Sequence, residues 1–117
     1  MLLVQHNCGK LYPATIAALE AGLEGKAGII CLQEPYIYTD FSHPGYLFYW
    51  PGGQQTDQQV LIAVRRDLLA AIQVEACSDL VDHPYMQVLD VWETSTGSTR
   101  RHTRIVNCYD ALIGASQ

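Results

Sequence analysis

The residues best suited to chemistry lie where apolar runs stop. Cys31-Leu32-Gln33-Glu34-Pro35 places a carboxylate directly after a strand-like apolar run, with a proline to fix the chain behind it. A carboxylate so held can ligate a hard cation, since magnesium takes one or two carboxylates and completes its shell with water and phosphate oxygens. Alone, the pattern fits a solvated loop residue much better than a ligand. Asn7 stands in the same position after the first apolar run, Leu2 to His6.

The elements between these two residues bring them together. A helix is expected from about Pro13 to Leu23, because proline suits a first helical turn and Tyr12, Ile16, Leu19 and Leu23 recur at helical spacing. Gly25 is the expected stop. A second strand, Gly28 to Gln33, comes next. Strand, helix and strand within roughly thirty residues form a βαβ unit, whose two strands run parallel. Their C-terminal ends then share one rim, the usual place for a ligand in such sheets. Asn7 and Glu34 are thereby expected side by side.

The remainder reads as β-rich. Strands are expected at Tyr46 to Trp50, Val60 to Val64, Tyr85 to Trp92 and Arg104 to Tyr109, with turns at Pro51-Gly52-Gly53 and Thr94 to Ser98. Leu68 to Ala76 fits helix or strand. The sum is a mixed, mostly antiparallel α/β sheet with few helices, in a single domain of 117 residues. Ile29 to Leu32 and Val60 to Val64 are apolar at successive positions and require cover on both faces. One helix cannot cover five or six strands in one sheet, so a missing layer or a second copy is expected.

Composition narrows the function. Hydrophobic residues make up 49% and charged residues 16%, which is a folding composition. No apolar run reaches the roughly 20 residues of a membrane span, and no signal peptide is read, so an intracellular protein is expected. The net charge of −5 argues against general nucleic-acid binding, although Arg65-Arg66 and Arg100-Arg101-Arg104 are clustered. Those arginines are read as solvated loop residues. Cys8, Cys31, Cys77 and Cys108 form no C-x-x-C pair and are read as small core residues. The four histidines, His6, His43, His83 and His102, are read as structural or solvent-exposed. Tyr46, Phe48, Tyr49 and Trp50 could stack on bases, but at strand spacing core packing is the better reading.

Val4-Gln5-His6-Asn7, Leu32-Gln33-Glu34-Pro35 and Ile105-Val106-Asn107-Cys108-Tyr109 occur in that order, with Val60 to Asp67 between them. Together they resemble the opening half of the endonuclease/exonuclease/phosphatase superfamily, and most of all the endonuclease domains of fungal non-LTR retrotransposons. The resemblance covers about Leu2 to Asp110. It implies the N-terminal half of a four-layer α/β sandwich of DNase I type. It implies Glu34 as ligand of a catalytic Mg2+, Asn7 as a positioning group for metal, water or phosphate, and Tyr109 at the scissile phosphate. It also implies DNA as partner and the nucleus as location. The family's later motifs, Gly-Asp-x-Asn and Ser-Asp-His, are missing. Ser78-Asp79-Leu80 has leucine in place of histidine and precedes Tyr109. A truncated domain is therefore expected, inactive alone, needing its C-terminal half or associating with itself. The other reading is a non-catalytic interaction module, or a relic, that pairs through an uncovered sheet face.

Overall fold

The computed structural model describes residues 2–38, 40–51, 59–77, 85–93 and 101–109. Ser78-Asp79-Leu80, His83, Gly52-Gly53, Arg100 and the Thr94 to Ser98 turn lie outside them.

The βαβ unit forms as its pattern requires. Strand β1 (Leu2–Asn7) leads through helix α1 (Tyr12–Glu24) to β2 (Ala27–Gln33), and β1 and β2 pair in parallel with Asn7 opposite Gln33. Proline occupies the first turn of α1, where its missing N–H costs nothing. The buried stripe of α1 is Thr15, Leu19 and Gly22, so the expected face is displaced by about one position, and Tyr12 is exposed. Gly22 is needed there. A Cβ at that position would meet the Ile30 side chain and lie 2.7 Å from the Tyr46 hydroxyl. Gly25 ends the helix by returning its N–H to the Ala21 carbonyl, but the left-handed residue that turns the chain is Lys26, at φ 60°.

Strands β3 (Tyr46–Tyr49) and β4 (Val60–Arg65) complete a four-stranded sheet in the order β1-β2-β4-β3, with β4 antiparallel to both neighbours. The ambiguous stretch divides into a 3-10 turn, Arg66–Ala70, and β5 (Ile72–Ala76). β5, β6 (Met86–Glu93) and β7 (Arg101–Cys108) form a separate antiparallel sheet. The expectation of a single sheet of five or six strands is thereby corrected.

The correction explains how β2 and β4 are covered. Alternation sends Ile30, Leu32, Leu61 and Ala63 toward α1, where they meet Leu19 and Tyr46. It sends Ile29, Cys31, Ile62 and Val64 toward the second sheet, where they meet Leu89, Val91 and Ile105. Both faces are covered from within the chain, by a helix on one side and a sheet on the other. Among the described residues, an edge stays uncovered. β1 is the outer strand of its sheet, Leu2 and Leu3 are each 50% exposed, and an apolar groove of about 470 Å³ runs between Leu2 and Val4 of β1 and Ala14, Ala18, Ala21 and Gly22 of α1.

The aromatic strand packs as core. Tyr46 is fully buried and donates its hydroxyl to the Ala27 carbonyl at 2.9 Å. Phe48 and Trp50 pack on the helix-side core and Tyr49 on the inter-sheet core. No described helix is long and apolar enough to cross a membrane.

Candidate functional site at the end of the parallel strands

The loop after β1 wraps around the end of β2. Cys8 N–H bonds the Gln33 carbonyl at 2.8 Å, and Lys10 N–H bonds the Glu34 carbonyl at 2.9 Å. Asn7 closes the turn from within, its Oδ1 accepting from Gly9 N–H at 2.8 Å. Gly9 and Lys10 both take left-handed backbone, at φ 61° and 60°.

Glu34 also sits at φ 51°, which is uncommon for a residue with a Cβ and persists only where the surroundings hold it. Its N–H bonds the Gln59 carbonyl at 2.8 Å and its carbonyl bonds Lys10, so the backbone is clamped from both sides. Pro35, buried, stiffens the chain on the far side. The Glu34 side chain is half-buried. Its carboxylate, with burial and the neighbouring Tyr85 behind it, holds the Tyr109 phenol above its ordinary value. Tyr109 is itself fixed by its N–H to the Tyr85 carbonyl at 2.8 Å. Asn7, Glu34 and Tyr109 thus stand at the C-terminal ends of β1, β2 and β7, with the Tyr109 phenol within the electrostatic reach of Glu34.

Beneath them lies a buried amide network to which sequence reasoning assigns no role. Gln33 Nε2 donates to Asn107 Oδ1 at 2.6 Å. Asn107 Nδ2 reaches the Leu32 and Leu61 carbonyls and Gln87 Oε1, each at 3.1 Å, so its two hydrogens serve three acceptors. Gln87 donates onward to the Tyr49 carbonyl at 2.8 Å, and Gln5 donates to Gln33 Oε1 at 3.3 Å. Gln33, Gln87 and Asn107 are each at most 5% exposed. The network joins β7 to β2 and β4 directly under Glu34 and Tyr109 and sets the spacing of the two sheets there. Two signals point to it: an amide ending the apolar run of β2, and another inside Ile105-Val106-Asn107.

The remaining polar residues have structural partners. His43 Nδ1 accepts from Gly45 N–H at 3.0 Å, so Nε2 carries the proton toward Glu20 at 2.9 Å, tying α1 to the loop before β3. His6 lies on the helix side of β1, opposite Asn7 by strand alternation. Arg65 pairs with Asp67, and Arg66 donates to the His43 carbonyl at 3.1 Å. Arg104 and His102 both bind Asp90, at 2.8 and 3.0 Å. Cys8, Cys31 and Cys77 are buried as expected, and burial pushes the Cys31 thiol up to about 11; Cys108 is exposed, which departs from the core reading. Among the described residues no three His, Cys, Asp or Glu side chains converge on a common metal position.

No protein-family model and no curated protein matches the sequence. Among solved structures, the chain is similar to the endonuclease domain of TRAS1, a telomere-specific non-LTR retrotransposon, with 21% identity and a TM-score of 0.69. The likeness covers 97% of this chain and 48% of that one, so the chain spans about half the length of that structure. The chain therefore has the fold that its motifs resemble, a mixed α/β fold like part of that domain.

Proposed function

We propose that this chain carries the metal- and phosphate-facing half of a divalent-metal-dependent DNA endonuclease site, and that it does not cut DNA by itself. The observation that carries the reading is the shared rim, where β1 ends in Asn7, β2 leads into the clamped Glu34 and β7 leads into Tyr109. Glu34 makes no ion pair with another described residue. A hydrated Mg2+ held by this one carboxylate and a substrate phosphate would match its charge. Such an ion, when bound, would act as a Lewis acid on the phosphodiester.

The residues themselves hold and orient. The clamped backbone at Glu34 fixes the carboxylate. Asn7 sits beside it to orient water or a phosphate oxygen. The Tyr109 hydroxyl, kept protonated by Glu34, can donate to a phosphate oxygen once the carboxylate is otherwise engaged. Of the described histidines, His43 is committed to Glu20, His102 to Asp90 at the far end of β7, and His6 lies on the helix side of β1, opposite Asn7. An acid–base group contributes about 10²–10⁴ in rate. Purified chain is therefore expected to leave supercoiled plasmid intact in magnesium, while binding the ion through Glu34. Nicking that Glu34→Ala abolishes would overturn the inactivity, and magnesium binding unchanged in Glu34→Gln would overturn the role given to Glu34.

A second reading has its own support. The free edge of β1 and the apolar groove against α1 are where a further strand and a packed apolar segment could be added. On this reading the pairing surface would be an edge rather than a sheet face. A complementary half-domain, or a second copy, would occupy it. Sedimentation of the purified chain checks the second copy.

A further inference from the structure

Pro35 and Ile37 are buried, whereas Tyr36 and Tyr38 between and beyond them are 55% and 71% exposed. The segment is held from below. Ile37 belongs to the helix-side core, and the Tyr38 carbonyl accepts from Phe41 N–H at 2.9 Å. The two phenol rings lie 6.3 Å apart, tilted by 55°, on a backbone that cannot turn them inward. Tyr12 is comparably exposed, but it packs edge-on against Phe41, 6.2 Å away. The Tyr36–Tyr38 pair begins two residues beyond Glu34, a reach of at most about 7 Å.

We propose that Tyr36 and Tyr38 form a stacking platform for an unpaired nucleobase of the strand whose phosphate lies at Glu34. The inference rests on the endonuclease reading above and extends it to the base beside the phosphate. Rings 6.3 Å apart cannot admit a base between them, since two contacts of about 3.5 Å are needed, so the base lies on the outer face of one ring and the other ring buttresses it. Stacking suits this chain. A net charge of −5 gives little general attraction for phosphate, and Arg65, Arg66 and Arg104 are engaged internally. Base stacking is indifferent to sequence and to that charge. Lys10, exposed and bonded through its backbone to Glu34, adds a cation on the same rim.

The test is binding of the full chain, in magnesium, to fluorescein-labelled oligothymidylate and to an abasic strand of equal length. Oligothymidylate is expected to bind more tightly. Tyr36→Ala and Tyr38→Ala are each expected to weaken it roughly tenfold, the contribution of one stacked base, and to leave the abasic strand unaffected. Tyr36→Trp, which keeps a stacking face, is expected to retain binding. Both side chains are exposed, so circular dichroism of the variants should match the parent. Equal affinity for the two strands, or alanine variants that bind as the parent does, would overturn the platform while leaving the phosphate site standing. Failure of the parent to bind either strand would overturn the endonuclease reading itself. A dimer lost in Tyr36→Ala with DNA affinity unchanged would assign the rings to protein contact and overturn the inference.

Discussion

The rim at the end of β2 and the outer face of the β5–β6–β7 sheet each carry a carboxylate, and they treat it in opposite ways. On the sheet, Asp90 is 5% exposed and receives Arg104 through two hydrogen bonds of 2.8 and 3.0 Å, Cys77 Sγ at 3.1 Å and His102 at 3.0 Å. His102 is in turn stacked on Trp92, with ring centroids 4.7 Å apart. At the rim, Glu34 has a phenol and a clamped backbone. Neutral amides, not cations, fill the layer beneath it. Arg104 and His102 lie within Asp90's reach because its charge is part of the fold. Glu34 is positioned with as much care, yet among the described residues it forms no ion pair. A carboxylate that is fixed but not neutralised is what a cation site requires before the cation arrives.

The largest effect should come from the amides that do the positioning. Asn107→Leu removes the carbonyl oxygen that Gln33 donates to and leaves the Leu32 and Leu61 carbonyls and Gln87 short of a donor, all in a buried layer. Each orphaned group costs about 1–3 kcal/mol, so a loss on the order of 3 kcal/mol or more is expected in urea unfolding. Loss of the Tyr109–Glu34 interaction should accompany it. If stability fell by less than about 1 kcal/mol, typical of a single replaceable hydrogen bond, the network would be filling space rather than setting the sheet spacing.

Asp90 should give a smaller effect with a signature in pH. The Arg104 hydrogen bonds, then those from Cys77 and His102, hold its carboxyl well below the usual range. A group whose folded value is lowered contributes stability that is present above its unfolded value, about 4, and lost as pH falls toward the folded value. Asp90→Asn should therefore unfold at lower urea than the parent near neutrality, and the two midpoints should converge as pH drops below about 4. Arg104 and His102 are 50% and 43% exposed, so water screens part of the interaction and the neutral-pH gap should be modest. A gap constant through the acid range would mean that Asp90 acts by shape.

These differences mark what the sequence could reveal. The βαβ unit, its parallel pairing and the shared rim arise from local signals, because the run lengths, the proline and the glycine all act within a few residues. Glu34 and Asn7 are legible for that reason, each being the polar residue that ends an apolar run. The approach of Tyr109 to Glu34 is reachable only through resemblance, because it depends on how one sheet lies on another. The division into two sheets is hidden for the same reason: successive apolar residues in β2 and β4 demand two covered faces but do not say what covers them. Asp90 carries no sequence signal at all. It is one acid in Val88-Leu89-Asp90-Val91, and its partners arrive from β7 and from the end of β5. Tyr36 and Tyr38 are inconspicuous because Pro35-Tyr36-Ile37-Tyr38 reads as loop, whereas the aromatic run that stands out, Tyr46 to Trp50, is core.

The smallest change in stability should come from Glu34→Gln, and its smallness is the point. Glu34 makes no ion pair with a described residue, and glutamine keeps the shape of the side chain. The urea midpoint should barely move, or should rise, as is common when a charge held for function is removed. Tyr109 should report the change. Its folded value is raised, so the interaction stabilises the fold below the unfolded value of about 10 and is lost as pH rises through the folded one. Without the carboxylate charge, the Tyr109 ring resonances should titrate at lower pH than in the parent, and magnesium should no longer perturb them. A large loss of stability with Tyr109 titrating as before would place Glu34 with Asp90, as a residue that holds the fold. An unchanged midpoint with a lowered Tyr109 titration would separate the two carboxylates and leave Glu34 as the charge that the fold holds ready for a ligand.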